Sequence, residues 1–142
     1  MNRNVIFVIG LVVIILGVGG FFFFKNQEKE EKIEGKVVFT LFYGNTCPHC
    51  KELEEFMDTL DEKTKSKIDY RMYEVYDNFE NLTLMKKTAK KYDVKCDGVP
   101  CFFIGEKGFN GYASGMNKKI LNTIDEEYKA KHFNSQVEET TE

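Results

Sequence analysis

The chain has 142 residues, room for one small domain once its ends are set aside. A net charge of −3 gives no broad basic surface for nucleic acid, and the acidic excess is too small to imply a partner. All four cysteines lie in the expected folded region as two closely spaced pairs, an even count that fits an oxidising compartment without proving one.

Residues 5–24 are apolar throughout except for Gly10, Gly17, Gly19 and Gly20. A helix of that length spans roughly 30 Å, the thickness of a bilayer core. A cleavable signal peptide is the alternative, but the run exceeds a usual hydrophobic region and no small-x-small site follows it; Phe21 to Phe24 occupy that place. An uncleaved anchor at residues 1–25, held in the lipid bilayer through Val5 to Phe24, is therefore expected. Arg3 precedes the span, while Lys25, Lys29 and Lys32 follow it, so counting bases does not favour an inside N-terminus. A short basic head before a single span is nevertheless the usual signal-anchor arrangement, with the domain outside the cytoplasm. Residues 26–35 mix charges of both signs and read as a solvated linker.

Residues 36–43 (KVVFTLFY) form a near-continuous apolar run, as in a strand buried on both faces. Gly44-Asn45-Thr46 breaks it, and Thr46 or Cys47 can cap a helix with Pro48 in its first turn. Leu53, Phe56, Met57 and Leu60 then make one apolar helix face, closed by polar residues 61–67. Residues 68–76 read as a second strand. Asp77 can cap a helix over 79–92 with Phe79, Leu82, Met85, Ala89 and Tyr92 inward and Lys86, Lys87, Lys90 and Lys91 outward. Residues 99–104 are a third strand that opens with Pro100 where a strand tolerates one. A turn at 105–108, a short strand at 109–112 and a helix after Ser114 carrying Ile120, Leu121, Ile124 and Tyr128 complete the domain. His132 reads as an exposed helix-end residue, and residues 134–142 as an acidic flexible tail. The order β-α-β-α-β-β-α describes an α/β domain over 36–133, a mixed four-stranded sheet flanked by about three helices.

Cys47-Pro48-His49-Cys50, placed after a buried strand and opening a helix, reads as a dithiol/disulfide motif. Only a thiolate attacks a disulfide, and at helix N-termini cysteine pKa values fall to about 3.5–7. Cys47 is therefore the expected nucleophile and Cys50 the resolving thiol, one turn inward; His49 can add charge or a hydrogen bond. An inert stapling disulfide is the bland alternative. No cofactor and no resident metal are expected. A metal-binding or metal-delivery module using Cys47, Cys50, Cys96 and Cys101 is the competing function.

These segments, KVVFTLFYGNTCPHC, YEVYDN and AKKYDV…GVPCFFIGEKG, resemble the thioredoxin superfamily over most of residues 36–130, with a Cys-Pro-His-Cys motif like that of Dsb-type disulfide oxidoreductases. The resemblance implies a cis peptide before Pro100, with the Val99 backbone left to pair with an extended substrate strand. It further implies protein thiol/disulfide substrates; a membrane redox partner is possible beside them. The chain departs from the family in three ways. It has no extra strand and helix before Lys36, and no helical insertion before Pro100. Leu41 also stands where thioredoxins carry a buried acid, so proton transfer to Cys50 must use water or another group, as in glutaredoxins. Cys96 and Cys101 bracket the Val-Pro step, about two residues longer than the thioredoxin pattern. A second disulfide, two separate thiols, and a four-thiolate zinc or iron–sulfur site all remain open, since spacing does not fix the Cα separation.

Overall fold

The computed structural model describes residues 35–139, with side chains to Phe133. The expected anchor and residues 26–34 of the linker lie outside the described residues. Among those described, no helix is long and apolar enough to cross a membrane.

The chain runs β1 (Val37–Tyr43), α1 (Pro48–Asp58), α2 (Glu62–Ser66), β2 (Ile68–Glu74), α3 (Phe79–Lys91), β3 (Cys101–Ile104), β4 (Lys107–Asn110), a 3-10 turn (Ser114–Met116) and α4 (Asn117–Glu139). The strands form one mixed sheet in the order β2-β1-β3-β4. β1 is parallel to β2, with Val37 opposite Ile68, and antiparallel to β3, with Leu41 opposite Phe102. β1 and β3 are therefore interior strands, and the alternation of a strand sends their side chains to two separate cores. Phe39, Leu41, Phe102 and Ile104 meet Leu53 and Met57 of α1 and Ile120 and Ile124 of α4 on one face. Phe42, Cys101 and Phe103 meet Met85 and Ala89 of α3 on the other. Helices on both faces explain why both strands read as continuous apolar runs.

The fold is the expected thioredoxin-like α/β arrangement, with four helices instead of about three. The extra one, α2, lies in the polar stretch read as a closing segment; Asp61 caps it by accepting from the Thr64 N–H at 2.7 Å. It buries no side chain, so no periodicity marked it. Asn78, not Asp77, caps α3, its side chain accepting from the Asn81 N–H at 3.0 Å. Phe79 was expected inward but is 79% exposed. It is the first helical residue, and the apolar cluster on that face starts only with Leu82. The β3–β4 turn is tighter than expected, using Gly105 at φ 59°, a conformation glycine adopts at little cost. The last helix starts at Asn117 after a 3-10 turn and runs to Glu139, six residues into the stretch read as tail. No Gly or Pro occurs there to stop it.

Candidate functional site

β1 delivers the chain to one end of the sheet, and Gly44-Asn45-Thr46 turns it into α1. The Cys47 N–H donates to the Gly44 carbonyl at 3.0 Å, which fixes the turn. The Tyr76 ring lies over Gly44, in the space a β-carbon would take, so a larger residue there would displace that exposed ring. Cys47 is the N-cap of α1, with Pro48 in the first turn. Its Sγ accepts the backbone N–H of Cys50 at 3.2 Å. A sulfur so placed meets an otherwise unpaired helix donor and the positive end of the helix dipole, both of which favour an anion. Cys47 and Cys50 are joined, with Cα atoms 5.3 Å apart. Cys47 is half-buried, whereas Cys50 is 1% exposed. That asymmetry matches one accessible and one inner sulfur.

The Val99–Pro100 loop forms the facing wall. The Val99–Pro100 peptide is cis. The Val99 carbonyl oxygen lies 3.6 Å from Cys47 Sγ, so residues 52 positions apart meet at this sulfur. The Pro100 carbonyl accepts from the Gly111 N–H at 2.8 Å, tying this wall to the end of β4. Behind it, Cys96 and Cys101 are bonded, with Cα atoms 5.7 Å apart, inside the range a disulfide requires. Of the three arrangements open from spacing, the structure has the second disulfide. Among the described residues no three His, Cys, Asp or Glu side chains are grouped to hold a metal ion.

His49 directs Nδ1 to Glu52 Oε2 at 3.1 Å on the exposed side of α1. Leu41, where the acid would stand, is fully buried opposite Met72 and Phe102. Glu54, one turn beyond Cys50 on α1, is half-buried. Desolvation raises its carboxyl above the usual range, Asp58 adds to the rise, and Lys51 opposes it. Burial likewise pushes the Tyr70 phenol up, with Glu54, Asp58 and Tyr43 adding. The Tyr70 hydroxyl has no hydrogen-bond partner among the described residues.

Reading the sequence did not single out Glu74, Tyr76 or Glu52. The Glu74 carboxylate accepts from the N–H groups of Tyr76 at 2.8 Å and Asp77 at 3.0 Å, which sets the loop that lays Tyr76 on Gly44. Nothing local in the sequence announces a contact of that kind. The His49–Glu52 pair was legible as an i, i+3 helix spacing.

A buried strand, a cysteine pair capping the next helix, and a cis-proline wall touching the outer sulfur define a thioredoxin-like domain of the thiol–disulfide oxidoreductase type. A model of the family described as Thioredoxin-like domain matches residues 24–132, and the chain belongs to that family. Among solved structures, the germline-specific thioredoxin Deadhead of Drosophila melanogaster is similar at 25% identity and a TM-score of 0.41, over 66% of this chain and 82% of that one. No curated protein matches the sequence.

Proposed function

We propose that the protein is a membrane-anchored thiol–disulfide oxidoreductase acting on extracytoplasmic protein substrates through Cys47 and Cys50, with oxidation of substrate thiols as its main direction. The observation that carries this reading is the Cys50 N–H directed at Cys47 Sγ at 3.2 Å. A donor aimed at sulfur stabilises a thiolate leaving group, and a stabilised thiolate makes the disulfide form a stronger oxidant.

The cycle follows from the accessibility of the two sulfurs. A substrate thiolate attacks Cys47 Sγ, a substrate–Cys47 bond forms, and the Cys47–Cys50 bond breaks with Cys50 leaving as thiolate. A second substrate thiolate then attacks the substrate sulfur of the mixed disulfide and releases Cys47 as thiolate. The substrate loses two electrons and two protons, and the Cys47/Cys50 pair gains them. With Leu41 in place of an acid, the proton for Cys50 comes from water or another group. The Val99 N–H makes no backbone hydrogen bond among the described residues, which leaves it for an extended substrate segment beside Cys47. A membrane redox partner reoxidises the pair.

Thiol trapping in intact cells with a membrane-impermeant alkylating reagent tests address and direction together. The expected result is that Cys47 labels only after an impermeant reductant is added, because the site faces outward and rests oxidised. Direct labelling without reductant would make the protein a reductase. Labelling of reduced cells only after lysis would place the domain inside.

A further inference from the structure

The segment between α3 and β3 carries the substrate-facing wall; Val94 and Val99 pack against the core under α3, but few hydrogen bonds hold the stretch between them. The last backbone hydrogen bond before it is Val94 N–H to Ala89 O at 2.9 Å, and the first after it is Gly111 N–H to Pro100 O at 2.8 Å. Among the described residues, 95–99 make no backbone–backbone hydrogen bond at all. The Lys95–Asp97 ion pair at 2.9 Å is exposed on both sides and holds residues of the loop only to each other. Gly98 has open space where a β-carbon would stand. What ties the loop's first half to the fold is Cys96, bonded to Cys101. Cys101 is 0% exposed, sits opposite Phe42 in the sheet and belongs to the core under α3. The bond therefore anchors a loop lacking backbone–backbone hydrogen bonds to a buried interior strand of the sheet. Within that closed ring lies Val99, whose carbonyl touches the nucleophilic sulfur.

We propose that the Cys96–Cys101 disulfide is a removable brace that positions Val99 against Cys47, so that its reduction weakens capture of extended protein substrates while leaving the sulfur chemistry of Cys47 intact. The inference rests on the exchange reaction proposed above and adds a second redox state to it. Cys96 is half-buried and Cys101 fully buried, so an incoming thiolate reaches the Cys96 sulfur. A dithiol reductant supplies the electrons. Its first thiolate bonds to Cys96 Sγ and expels Cys101 as thiolate, and its second thiolate closes on the first sulfur and releases Cys96. The reductant becomes a disulfide, and two electrons and two protons remain on Cys96 and Cys101. The freed loop then samples more conformations, and ordering it again is charged to substrate binding.

Two variants test this, Cys96→Ser and the double change Cys96→Ala with Cys101→Val; the second avoids an unpaired thiol in the core. Each is assayed with a reduced, unfolded protein and with glutathione, a small thiol that does not need the wall. The expected result is that KM for the protein rises about tenfold, which is the loss of one ordering term, while the glutathione rate stays within about twofold. Amide exchange is expected to quicken at Gly111, whose N–H donates to the Pro100 carbonyl of the wall, and to stay unchanged in α1. An unchanged KM in both variants, or an equal loss with both substrates in folded protein, would overturn the brace. If the unaltered chain exchanges with neither substrate, the redox reading itself fails and takes the brace with it. Activity in the unaltered chain with unchanged KM in the variants removes the brace alone.

Discussion

Cys47→Ser is expected to lower turnover of a protein thiol substrate by at least about a thousandfold, because the hydroxyl neither attacks nor leaves as a sulfur does and no disulfide with Cys50 can form. Cys50→Ser is expected to behave differently. It keeps Cys47 at the helix N-cap with the residue-50 N–H still directed at it, since that donor is backbone. The variant should still form a bond with a substrate disulfide but lack the inner thiol that breaks it. Mixed disulfide on Cys47 should therefore accumulate, read as a mass increase that reductant removes. Turnover in Cys47→Ser comparable to that of the unaltered chain would assign the chemistry elsewhere, and Cys96 would then be the next sulfur to examine.

The second large effect is on stability. Phe102 is 0% exposed and lies at the centre of a three-ring stack across the sheet. Its ring is stacked on Phe39 of β1 at 5.6 Å and on Phe109 of β4 at 4.9 Å between centroids. Phe102→Ala removes that ring from a packed interior and is expected to cost about 3–5 kcal/mol. For a small domain whose total stability is on the order of 5–15 kcal/mol, the loss is a large fraction. Urea unfolding followed by tyrosine fluorescence measures it. The exposed Phe79 serves as the contrast, since Phe79→Ala should change stability by only about 0.5 kcal/mol. A loss below about 1 kcal/mol for Phe102→Ala would mean that this core can collapse around the gap.

Much of this architecture could be read from residues alone because its determinants are local. The apolar run of β1, the helix-capping position of Cys47 and the apolar face of Leu53, Met57 and Leu60 each follow from periodicity or capping within a few residues. The elements that escaped are those whose signal is weak or whose cause is distant. α2 is polar and buries nothing, so it depends on an Asp61 cap. Phe79 fits the apolar period of α3, but a period does not reveal where the opposing core begins. At the site, the motif and Val99-Pro100 were legible as a pair through family resemblance. The bond between Cys96 and Cys101 was one of three options because spacing leaves the Cα separation open. The contact of Tyr76 with Gly44, arranged by the Glu74 carboxylate, joins two loops by long-range packing and leaves no sequence trace.

The proposed cycle requires the α1 N-terminus to make Cys47 the thiolate nucleophile while Cys50 stays shielded. Alkylation of the fully reduced protein with iodoacetamide, followed residue by residue by mass spectrometry across pH, tests it most directly. Cys47 is expected to react first and to reach half its limiting rate below about pH 7.5, in the range of thiols at helix N-termini, with Cys50 slower throughout. A Cys47 rate that rises only near pH 8.5, as for an ordinary thiol, or a Cys50 that is alkylated first, would contradict it.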